Sequence, residues 1–522
     1  MDHGPRAADD PLRIATDHAN VLPRRIARLA VTHPEQLFLV ETSGRSLTYA
    51  QCHEALLRCC AYLRSLGLRP GDRILSFLPS SIDAQLLWLG ASCAGLWEVP
   101  ANPELRGTFL EHVFRDSGAR HCFVRPEQIE LAAAARSAGI ATTVVEREDP
   151  CLLAAPAQPL ESYPTPGDVS TIIYTSGTTG AAKGVIVPWA QLASSIGRLP
   201  SAWLSANDVV YAPWPMFHVT GRTPLMSMAY AGGRVVLREK LSMAEFWRDV
   251  REHRCTSATV NTTLLLATPE RADDRDHCMR VVFGTGPGAP NLRLQERFGV
   301  RVVLCYGSTE LGFPLANRHL DERSAPYVGW LREGYEGRIV DASGHEVADG
   351  GVGELHVRPP ARELMMQGYL GQPEATAKAV VDGWYRTGDA FARDANGAFR
   401  FIDRLRDTIR RFGENISATG VETVVLADAQ VAECCVTPVA STLAGQEILL
   451  LVVPRAGQTI DAAALYERLA TNLPRYMRPA YIRVVNELPK TPSSKVRKVA
   501  LGELASPAGA WRSPAALAPR NI

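Results

Sequence analysis

Residues 174–185 read YTSGTTGAAKGV and follow directly on the apolar run VSTII at residues 169–173. A loop of Thr, Ser and Gly offers hydroxyls and unobstructed backbone N–H groups, and Lys183 adds a positive charge. The pattern is not the Walker A motif, because Ala182 precedes the lysine and Gly184 follows it. The stretch therefore predicts a phosphate-binding loop at the end of a buried strand, rather than a flexible linker.

On both sides of this loop, helical stretches such as residues 48–67 alternate with short apolar runs such as residues 280–286 and 301–307. This rhythm indicates strands joined by helices, as in stacked parallel α/β sheets. From about Gly329, short alternating strands separated by turn residues predict a β-rich subdomain. We therefore predict an α/β fold of two domains. The large N-terminal domain, residues 1–405, should contain stacked mixed and parallel sheets, flanking helices and the β-rich subdomain. The small C-terminal domain, residues 406–522, should be α+β.

Charge and composition narrow the range of partners. The 56 basic and 55 acidic residues nearly cancel, so no overall field favours nucleic acid or an anionic membrane. The N-terminus lacks the apolar run of a secretory signal, and no stretch approaches the ~18 apolar residues that cross a bilayer. We expect a cytoplasmic protein that binds small molecules or a specific protein surface. The 11 cysteines contain no C-x-x-C pair, which favours packed, reduced thiols over a metal site.

Two further stretches place a carboxylate close to glycine. YGSTE at residues 306–310 ends on Glu310, a hard oxygen ligand suited to Mg²⁺ beside phosphates. YRTGD at residues 385–389 ends on Asp389, which we expect in a loop, where its carboxylate can accept both hydroxyls of a ribose. Arg404 can bind ribose or phosphate from the opposite side, although such an Asp and Arg are, taken alone, more often a structural ion pair.

These stretches, followed by TPSSKVRK at residues 491–498, occur in the order found in the adenylate-forming superfamily of acyl-CoA synthetases, peptide-synthetase adenylation domains and luciferases. The chain resembles this superfamily over most of its length, and FGENIS and DGWYRTGD look closest to bacterial acyl-CoA ligases of the carnitine/crotonobetaine and medium-chain type. The resemblance implies that ATP and Mg²⁺ activate a small carboxylic acid as acyl-AMP, and that the acyl group then passes to coenzyme A. AMP and pyrophosphate are the by-products.

The resemblance also assigns roles by position. Lys495 is expected to stabilise the charge that grows on the phosphates, with Glu310 and Thr175 as the other catalytic residues and Glu310 as the metal ligand. The residues assigned to ATP and AMP are Thr175, Ser176, Gly177, Thr178, Thr179, Gly180, Lys183, Gly286, Pro287, Tyr306, Gly307, Ser308, Thr309, Asp389, Phe401 and Arg404. We expect Lys183, Glu310 and Asp389 to converge on one ATP molecule.

The resemblance assigns the binding sites of the acid and of the thiol to two further sets of residues. The expected acyl pocket consists of His218, Thr220, Gly221, Gly284, Thr285 and Gly312, of which His218 is expected at the end of an apolar strand. The channel for coenzyme A is expected to be lined by Arg411, Phe412, Gly413, Glu414 and Asn415. In similar enzymes the C-terminal domain swings after adenylation, and Arg406 stands at the position of the hinge.

Several alternatives stay open at this point. Taken alone, Lys495 would be one residue of a solvated basic tail, and His218 a packed histidine. Ser494 replaces a glycine of the family and Gly420 a glutamate of many relatives, so the chain could be specialised for one half-reaction. The acceptor could also be a carrier-protein thiol or an amine. A non-catalytic nucleotide-binding scaffold would be expected to have lost Lys495, Glu310 or Asp389, and all three are present.

Overall fold

The computed structural model describes residues 10–103, 105, 107–147, 150–175, 182–199, 203–260, 262–266, 268–284, 288–404, 408–411, 414–441, 445–473, 477–491 and 496–514. In these ranges the helices are α1 (Pro11–Thr16), α2 (Leu22–Thr32), α3 (Tyr49–Ser65), α4 (Ile82–Cys93), α5 (Gly107–Ser117), α6 (Ile129–Ser137), α7 (Trp189–Ser194), α8 (Thr223–Ala231), α9 (Met243–Glu252), α10 (Thr262–Leu266), α11 (Ala289–Phe298), α12 (Pro373–Ala379), α13 (Ala418–Leu426) and α14 (Ala462–Asn472).

The strands are β1 (Leu37–Glu41), β2 (Ser46–Thr48), β3 (Arg73–Ser76), β4 (Trp97–Pro100), β5 (His121–Val124), β6 (Ala141–Val144), β7 (Val169–Thr175), β8 (Lys183–Pro188), β9 (Val209–Ala212), β10 (Arg234–Leu237), β11 (Ser257–Thr259), β12 (Val281–Gly284), β13 (Arg301–Ser308), β14 (Gly312–Asn317), β15 (Trp330–Leu331), β16 (Glu336–Val340), β17 (Val352–Arg358), β18 (Gly368–Tyr369), β19 (Val380–Val381), β20 (Trp384–Arg393), β21 (Phe399–Arg404), β22 (Thr408–Arg411), β23 (Glu414–Ser417), β24 (Val431–Ser441), β25 (Gly445–Pro454), β26 (Tyr481–Val484) and β27 (Trp511–Arg512).

The largest sheet has nine strands in the order β15-β14-β13-β12-β11-β9-β10-β1-β2. Its centre, from β13 to β1, is parallel, whereas β14, β15 and β2 pair antiparallel at the two edges. The parallel strands are short apolar runs, as expected for strands covered on both faces. Ligands in such sheets bind beyond the carboxyl ends of the strands, which places β12 and β13 at the site described below.

A second sheet, β4-β3-β5-β6, is parallel throughout, and a third, β18-β8-β7, is antiparallel. Every residue of helix α4 is buried, because the sequence IDAQLLWLGASC is apolar around most of the helix. Trp88 of α4 stacks on Trp189 with ring centroids 5.0 Å apart, and its Nε1 donates to the Ser170 carbonyl at 2.8 Å. These contacts join α4 to β7 and α7.

Helix α3 begins where the sequence predicts a helix. The Thr48 hydroxyl accepts a hydrogen bond from the Gln51 backbone, and the Gln51 side chain accepts one from the Thr48 backbone, which forms a capping box. Cys59 and Cys60 lie buried in this helix, and Cys434 and Cys435 lie buried in β24, as predicted for packed thiols. No helix in the described ranges is both long and apolar enough to cross a bilayer.

The β-rich region predicted after Gly329 is present as an antiparallel sheet in the order β16-β17-β20-β19, with β21 also paired to β20. Further along the chain, β22 to β27 form a separate sheet with α13 and α14. The buried apolar side chains of this last region form two clusters drawn only from residues 409–511. The C-terminal part therefore has its own core, and the predicted boundary at residues 405 and 406 falls outside the described residues.

Candidate active site

Strands β7 and β8 form an antiparallel hairpin in which Thr175 is paired with Lys183. The loop predicted to bind phosphate is thus the connection of this hairpin, and its two ends are fixed by strand pairing. Both end residues are partly buried. The assigned loop residues that lie outside the described residues are Ser176, Gly177, Thr178, Thr179 and Gly180.

Tyr369 lies between Lys183 and Glu310. The Lys183 ammonium lies 4.8 Å from the centroid of the Tyr369 ring, and the Tyr369 hydroxyl donates to Glu310 Oε1 at 3.1 Å. Burial and the neighbouring Glu310 charge raise the pKa of Tyr369 well above its usual range, so the hydroxyl stays protonated and donates. One tyrosine therefore holds a cation on its face and a carboxylate at its edge.

Glu310 lies in the tight turn between β13 and β14. A Cβ on Gly307 would lie 2.0 Å from the carbonyl oxygen of Gly312, so the close approach of the two strands requires glycine. The turn is also held from outside, because Gln191 Nε2 donates to the carbonyl preceding Glu310 and the Met366 amide donates to that of Glu310, each at 2.7 Å. These two hydrogen bonds hold the backbone from which the Glu310 side chain extends.

Asp389 lies inside strand β20, and the expectation that it lies in a loop is wrong. Gly388 has a φ of +70°, which produces an irregularity without ending the strand, because pairing to neighbouring strands continues on both sides. Asp389 is 8% exposed and its Oδ2 accepts from the Tyr306 hydroxyl at 2.6 Å. Across the strand pair its Cα partner is Arg404, whose side chain lies outside the described residues.

An aromatic cluster supports Tyr306 and Asp389. The Tyr306 ring packs edge-on against the Phe391 ring, with 4.8 Å between centroids. Phe401 packs edge-on against the Phe391 ring as well, with 5.4 Å between centroids. Tyr306 and Glu310 lie on the same β13 to β14 hairpin, so this hairpin carries both the contacts of Glu310 with Tyr369 and the hydrogen bond of Tyr306 to Asp389. The structure brings Lys183 and Glu310 together on Tyr369, and Asp389 together with Tyr306.

Two tyrosines of this site were not among the assigned residues. Tyr385 is the first residue of the YRTGD stretch, and that motif was the signal that could have identified it. Burial and the nearby Glu310 carboxylate raise the pKa of the Tyr385 hydroxyl, so it is neutral. Tyr369 belongs to none of the recognised motifs, and nothing in its local sequence marks it.

The segment carrying His218 differs from the predicted strand end. Strand β9 stops at Ala212, because the two prolines that follow lack the N–H groups that a central strand needs. The His218 amide donates to the Pro215 carbonyl at 3.1 Å, and a short 3-10 helix follows at Val219–Gly221, which includes Thr220. A Cβ on Gly221 would lie 2.3 Å from the same Pro215 oxygen, so this tight loop requires glycine.

The other assigned acyl-pocket residues lie at strand ends. Gly284 is the last residue of β12, and a Cβ there would lie 2.6 Å from Asn291 Oδ1. Gly312 begins β14 with a φ of +72° and faces Gln191. The remaining assigned residues of the Gly-rich segment lie outside the described residues: Thr285, Gly286 and Pro287.

Arg411 is 3% exposed, and its guanidinium forms an ion pair with Glu447 at 2.7 Å. The strand pair places Arg411 opposite Glu414, with Asn415 next in β23. Its side chain therefore supports the sheet next to the predicted thiol channel. The side chains of Glu414 and Asn415 lie outside the part of the chain that the structure describes, as do Arg406, Phe412, Gly413 and Lys495.

Family models match most of the chain. A model described as AMP-binding enzyme matches residues 26–370, and one described as AMP-binding enzyme C-terminal domain matches residues 420–495. A curated crotonobetaine/carnitine–CoA ligase of Salmonella paratyphi A is 28% identical over 484 residues, covering 87% of this chain and 92% of that protein. A sulfoacetate–CoA ligase of Cupriavidus necator is 30% identical over 507 residues, covering 92% and 97%.

Solved structures share the fold. ATP-bound MatB from Rhodopseudomonas palustris superposes with a TM-score of 0.83 at 24% identity, covering 93% of this chain and 99% of that one. The o-succinylbenzoate CoA synthetase of Bacillus subtilis, in complex with its acyl-adenylate intermediate, gives a TM-score of 0.81 at 23% identity, covering 91% and 97%. These neighbours confirm the α/β fold class predicted from the sequence.

Proposed function

Because the chain belongs to the family of AMP-binding enzymes, we propose that it is an AMP-forming acid–thiol ligase. It uses ATP to convert a carboxylic acid into an acyl-adenylate with release of pyrophosphate. It then transfers the acyl group to the thiol of coenzyme A and releases AMP. The observation that carries this proposal is the contact between Lys183, Tyr369 and Glu310 beside the hydrogen bond from Tyr306 to Asp389.

Each of these groups suits one part of ATP. Lys183 and the hydroxyls and amides of its hairpin loop bind phosphate oxygens. Asp389 accepts hydroxyls of the ribose, and the hydrogen bond from Tyr306 fixes the orientation of its carboxylate. Arg404, opposite Asp389 on the neighbouring strand, binds the nucleotide from the other side. The site therefore holds the base-bearing and phosphate-bearing ends of one molecule at fixed positions.

Glu310 is the residue that would hold Mg²⁺. In the described residues no three His, Cys, Asp or Glu side chains form a metal-binding group, which fits an ion held by one carboxylate, water and substrate phosphates. The turn and the hydrogen bond from Tyr369 orient the Glu310 carboxylate. When bound, magnesium would neutralise part of the negative charge on the ATP phosphates.

The first reaction joins the acid to the nucleotide. An oxygen of the substrate carboxylate attacks the α-phosphorus of ATP, a bond to that phosphorus forms, and the bond to the pyrophosphate oxygen breaks. Negative charge grows on the phosphoryl oxygens, and the ammonium groups of Lys183 and Lys495 stabilise it. Thr175 fixes one end of the loop that surrounds those oxygens.

The second reaction uses the C-terminal domain, residues 406–522, which turns about Arg406 after adenylation. Lys495 then leaves the site, and residues 412–415, supported by the buried Arg411, guide the thiol to the acyl carbonyl, where AMP is displaced. Curated relatives that are named as CoA ligases support coenzyme A as the acceptor. A carrier-protein thiol is the second candidate, because a phosphopantetheine arm fits the same channel. We place this reaction in the cytoplasm.

An isotope-exchange assay tests the proposal. The protein is incubated with ATP, Mg²⁺, labelled pyrophosphate and a panel of carboxylic acids, and we expect label to enter ATP only when a suitable acid is present. Addition of coenzyme A should then give the thioester and AMP. ATP binding without exchange for any acid would instead support a nucleotide-binding scaffold, and a thioester formed only on an added carrier protein would identify that carrier as the acceptor.

A further inference from the structure

Arg198 is a buried cation at the edge of the candidate site. It follows helix α7, is 4% exposed, and its guanidinium carbon lies 4.3 Å from the ring centroid of Phe283 and 4.4 Å from that of Phe313. Its Nε donates to the Ser195 carbonyl at 2.9 Å. No carboxylate of the described residues forms an ion pair with it, so its two terminal nitrogens have no anionic partner there.

Three other buried arginines among the described residues, Arg125, Arg222 and Arg411, do have such partners. Arg222 is paired with Glu98 at 2.6 Å and Arg125 with Asp83 at 2.9 Å. A buried charge without a partner costs free energy, and proteins usually pair it. Arg198 and the neighbouring Arg332 depart from this pattern, because neither forms an ion pair with a carboxylate of the described residues.

The surroundings of Arg198 add positive charge. Arg332 is 5% exposed, and its guanidinium donates to the carbonyls of Phe313 and Ser194 at 2.9 and 2.6 Å. Arg318 donates to the carbonyl of Arg198 itself at 3.1 Å. Burial, together with the Arg332 charge, lowers the pKa of Arg198 to about 10, which still leaves the guanidinium charged at neutral pH. The cluster is thus suited to an anion.

The ring partners of Arg198 lie next to residues assigned to the acyl pocket. Phe283 and Phe313 directly adjoin Gly284 and Gly312, two residues assigned to the acyl pocket. Phe313 also lies against the nucleotide stretch, because a Cβ on Gly307 would be 3.0 Å from its ring. Both rings lie within cation–π distance of the guanidinium, so an anion would bind the in-plane N–H groups at its edge.

We infer that Arg198 binds a second anionic group, a carboxylate or a sulfonate, at the end of the substrate acid remote from the reacting carboxylate. The planar fork of a guanidinium matches the two oxygens of either group. This inference rests on the proposed function and names its substrate class: acids that carry one carboxylate to be adenylated and a second, permanent negative charge. Arg198 fixes the distance between the two charged ends.

Matched pairs of acids test the inference. Pyrophosphate exchange is measured with dicarboxylates from malonate to adipate and with the monoamide of each, which keeps the reacting carboxylate but lacks the second charge, and in a second arm with sulfoacetate and 3-sulfopropanoate. A hydrogen bond to a charged group predicts that the best dianion exceeds its amide about 10- to 100-fold in kcat/KM. The more active arm identifies the anion. Equal use of amides, or preference for fatty acids that carry no second charged group, would overturn the inference while leaving the proposed function intact; no exchange with any acid would overturn both.

Variants separate recognition from folding. Arg198→Met should lower kcat/KM for the dianion about 10- to 100-fold with little change for the amide, and Arg198→Lys should retain part of the preference. Arg301→Met is the control, because Arg301 is an exposed arginine stacked on Trp203 at 4.1 Å and should behave as wild type. The KM for ATP and the melting temperature report folding. An equal loss for dianion and amide in Arg198→Met, at an unchanged melting temperature, would contradict a role in binding the anion.

Discussion

At the scale of single residues, tyrosine hydroxyls organise the candidate site. Tyr369 and Tyr306 each donate one hydrogen bond to a carboxylate, Glu310 and Asp389 respectively. A hydrogen bond to a charged group contributes about 1.5–3 kcal/mol. It also fixes the orientation of the carboxylate, whereas a solvated carboxylate rotates freely. The two carboxylates are therefore oriented before any nucleotide binds.

Tyr306→Phe tests this orientation. The substitution keeps the ring that packs on Phe391 and removes the hydroxyl that donates to Asp389 at 2.6 Å. We expect the KM for ATP to rise about 10-fold with a smaller change in kcat, as measured by pyrophosphate exchange. Tyr327→Phe is the matched control, since Tyr327 hydrogen-bonds Asp394 on the surface. The same change in both variants would contradict a specific role for Tyr306.

The sequence could predict the residues that carry a motif but not those placed by distant contacts. Lys183, Glu310 and Asp389 each belong to a recognisable stretch, and the structure joins the first two through Tyr369 and the third to Tyr306. Tyr369 and Arg198 depend on partners far along the chain, and the tyrosine is 59 residues from the carboxylate that it contacts. No local pattern encodes such a contact, because it is set by how sheets and helices pack.

At the scale of elements, close strand pairing places the carboxylates. The β13 to β14 hairpin brings Gly307 against Gly312, and β20 carries Asp389 past the irregularity at Gly388 without ending. The apolar run at residues 301–307 predicted β13. The glycine before Asp389 instead suggested a loop, since a glycine indicates a turn as well as a bulge in a continuing strand.

Gly307→Ala tests the hairpin. The added methyl carbon would lie 2.0 Å from the Gly312 carbonyl oxygen, so the turn that carries Glu310 must shift. We expect a loss of about 1–3 kcal/mol in stability, seen as a lower melting temperature, together with a larger loss of exchange activity. Gly167→Ala is the control, because a Cβ there meets no atom within 4 Å. Wild-type activity in Gly307→Ala would show that the turn position is not critical.

At the scale of the whole molecule, the C-terminal region has a core of its own. Its buried side chains contact one another within residues 409–511, and a change in sequence pattern near residue 405 already indicated a second unit. A separate core lets one part move without disturbing the packing of the other. The proposed movement that brings Lys495 to ATP and later withdraws it requires this independence.

Lys495→Ala tests the division of labour between the two parts. Loss of one positioned charge in the transition state predicts a decrease of about 10²–10³-fold in adenylation. Thioester formation from a supplied acyl-adenylate should continue, because Lys495 is then away from the site. Lys490→Ala is the control, since that ammonium pairs with Glu433 at 2.5 Å. Equal loss of both half-reactions in Lys495→Ala would contradict the proposed alternation.

Burial of α4 on all sides has a consequence for synthesis on the ribosome. Trp88 emerges 82 residues before Ser170, the partner of its indole nitrogen. At about 5–20 residues per second, the nascent helix waits about 4–16 s for that partner, with α2, α3, β1 and β4 but not β7 available to cover it. An apolar helix exposed for seconds is a target for aggregation and for chaperones. The yield of native protein is therefore governed by events during translation as well as by the stability of the finished fold.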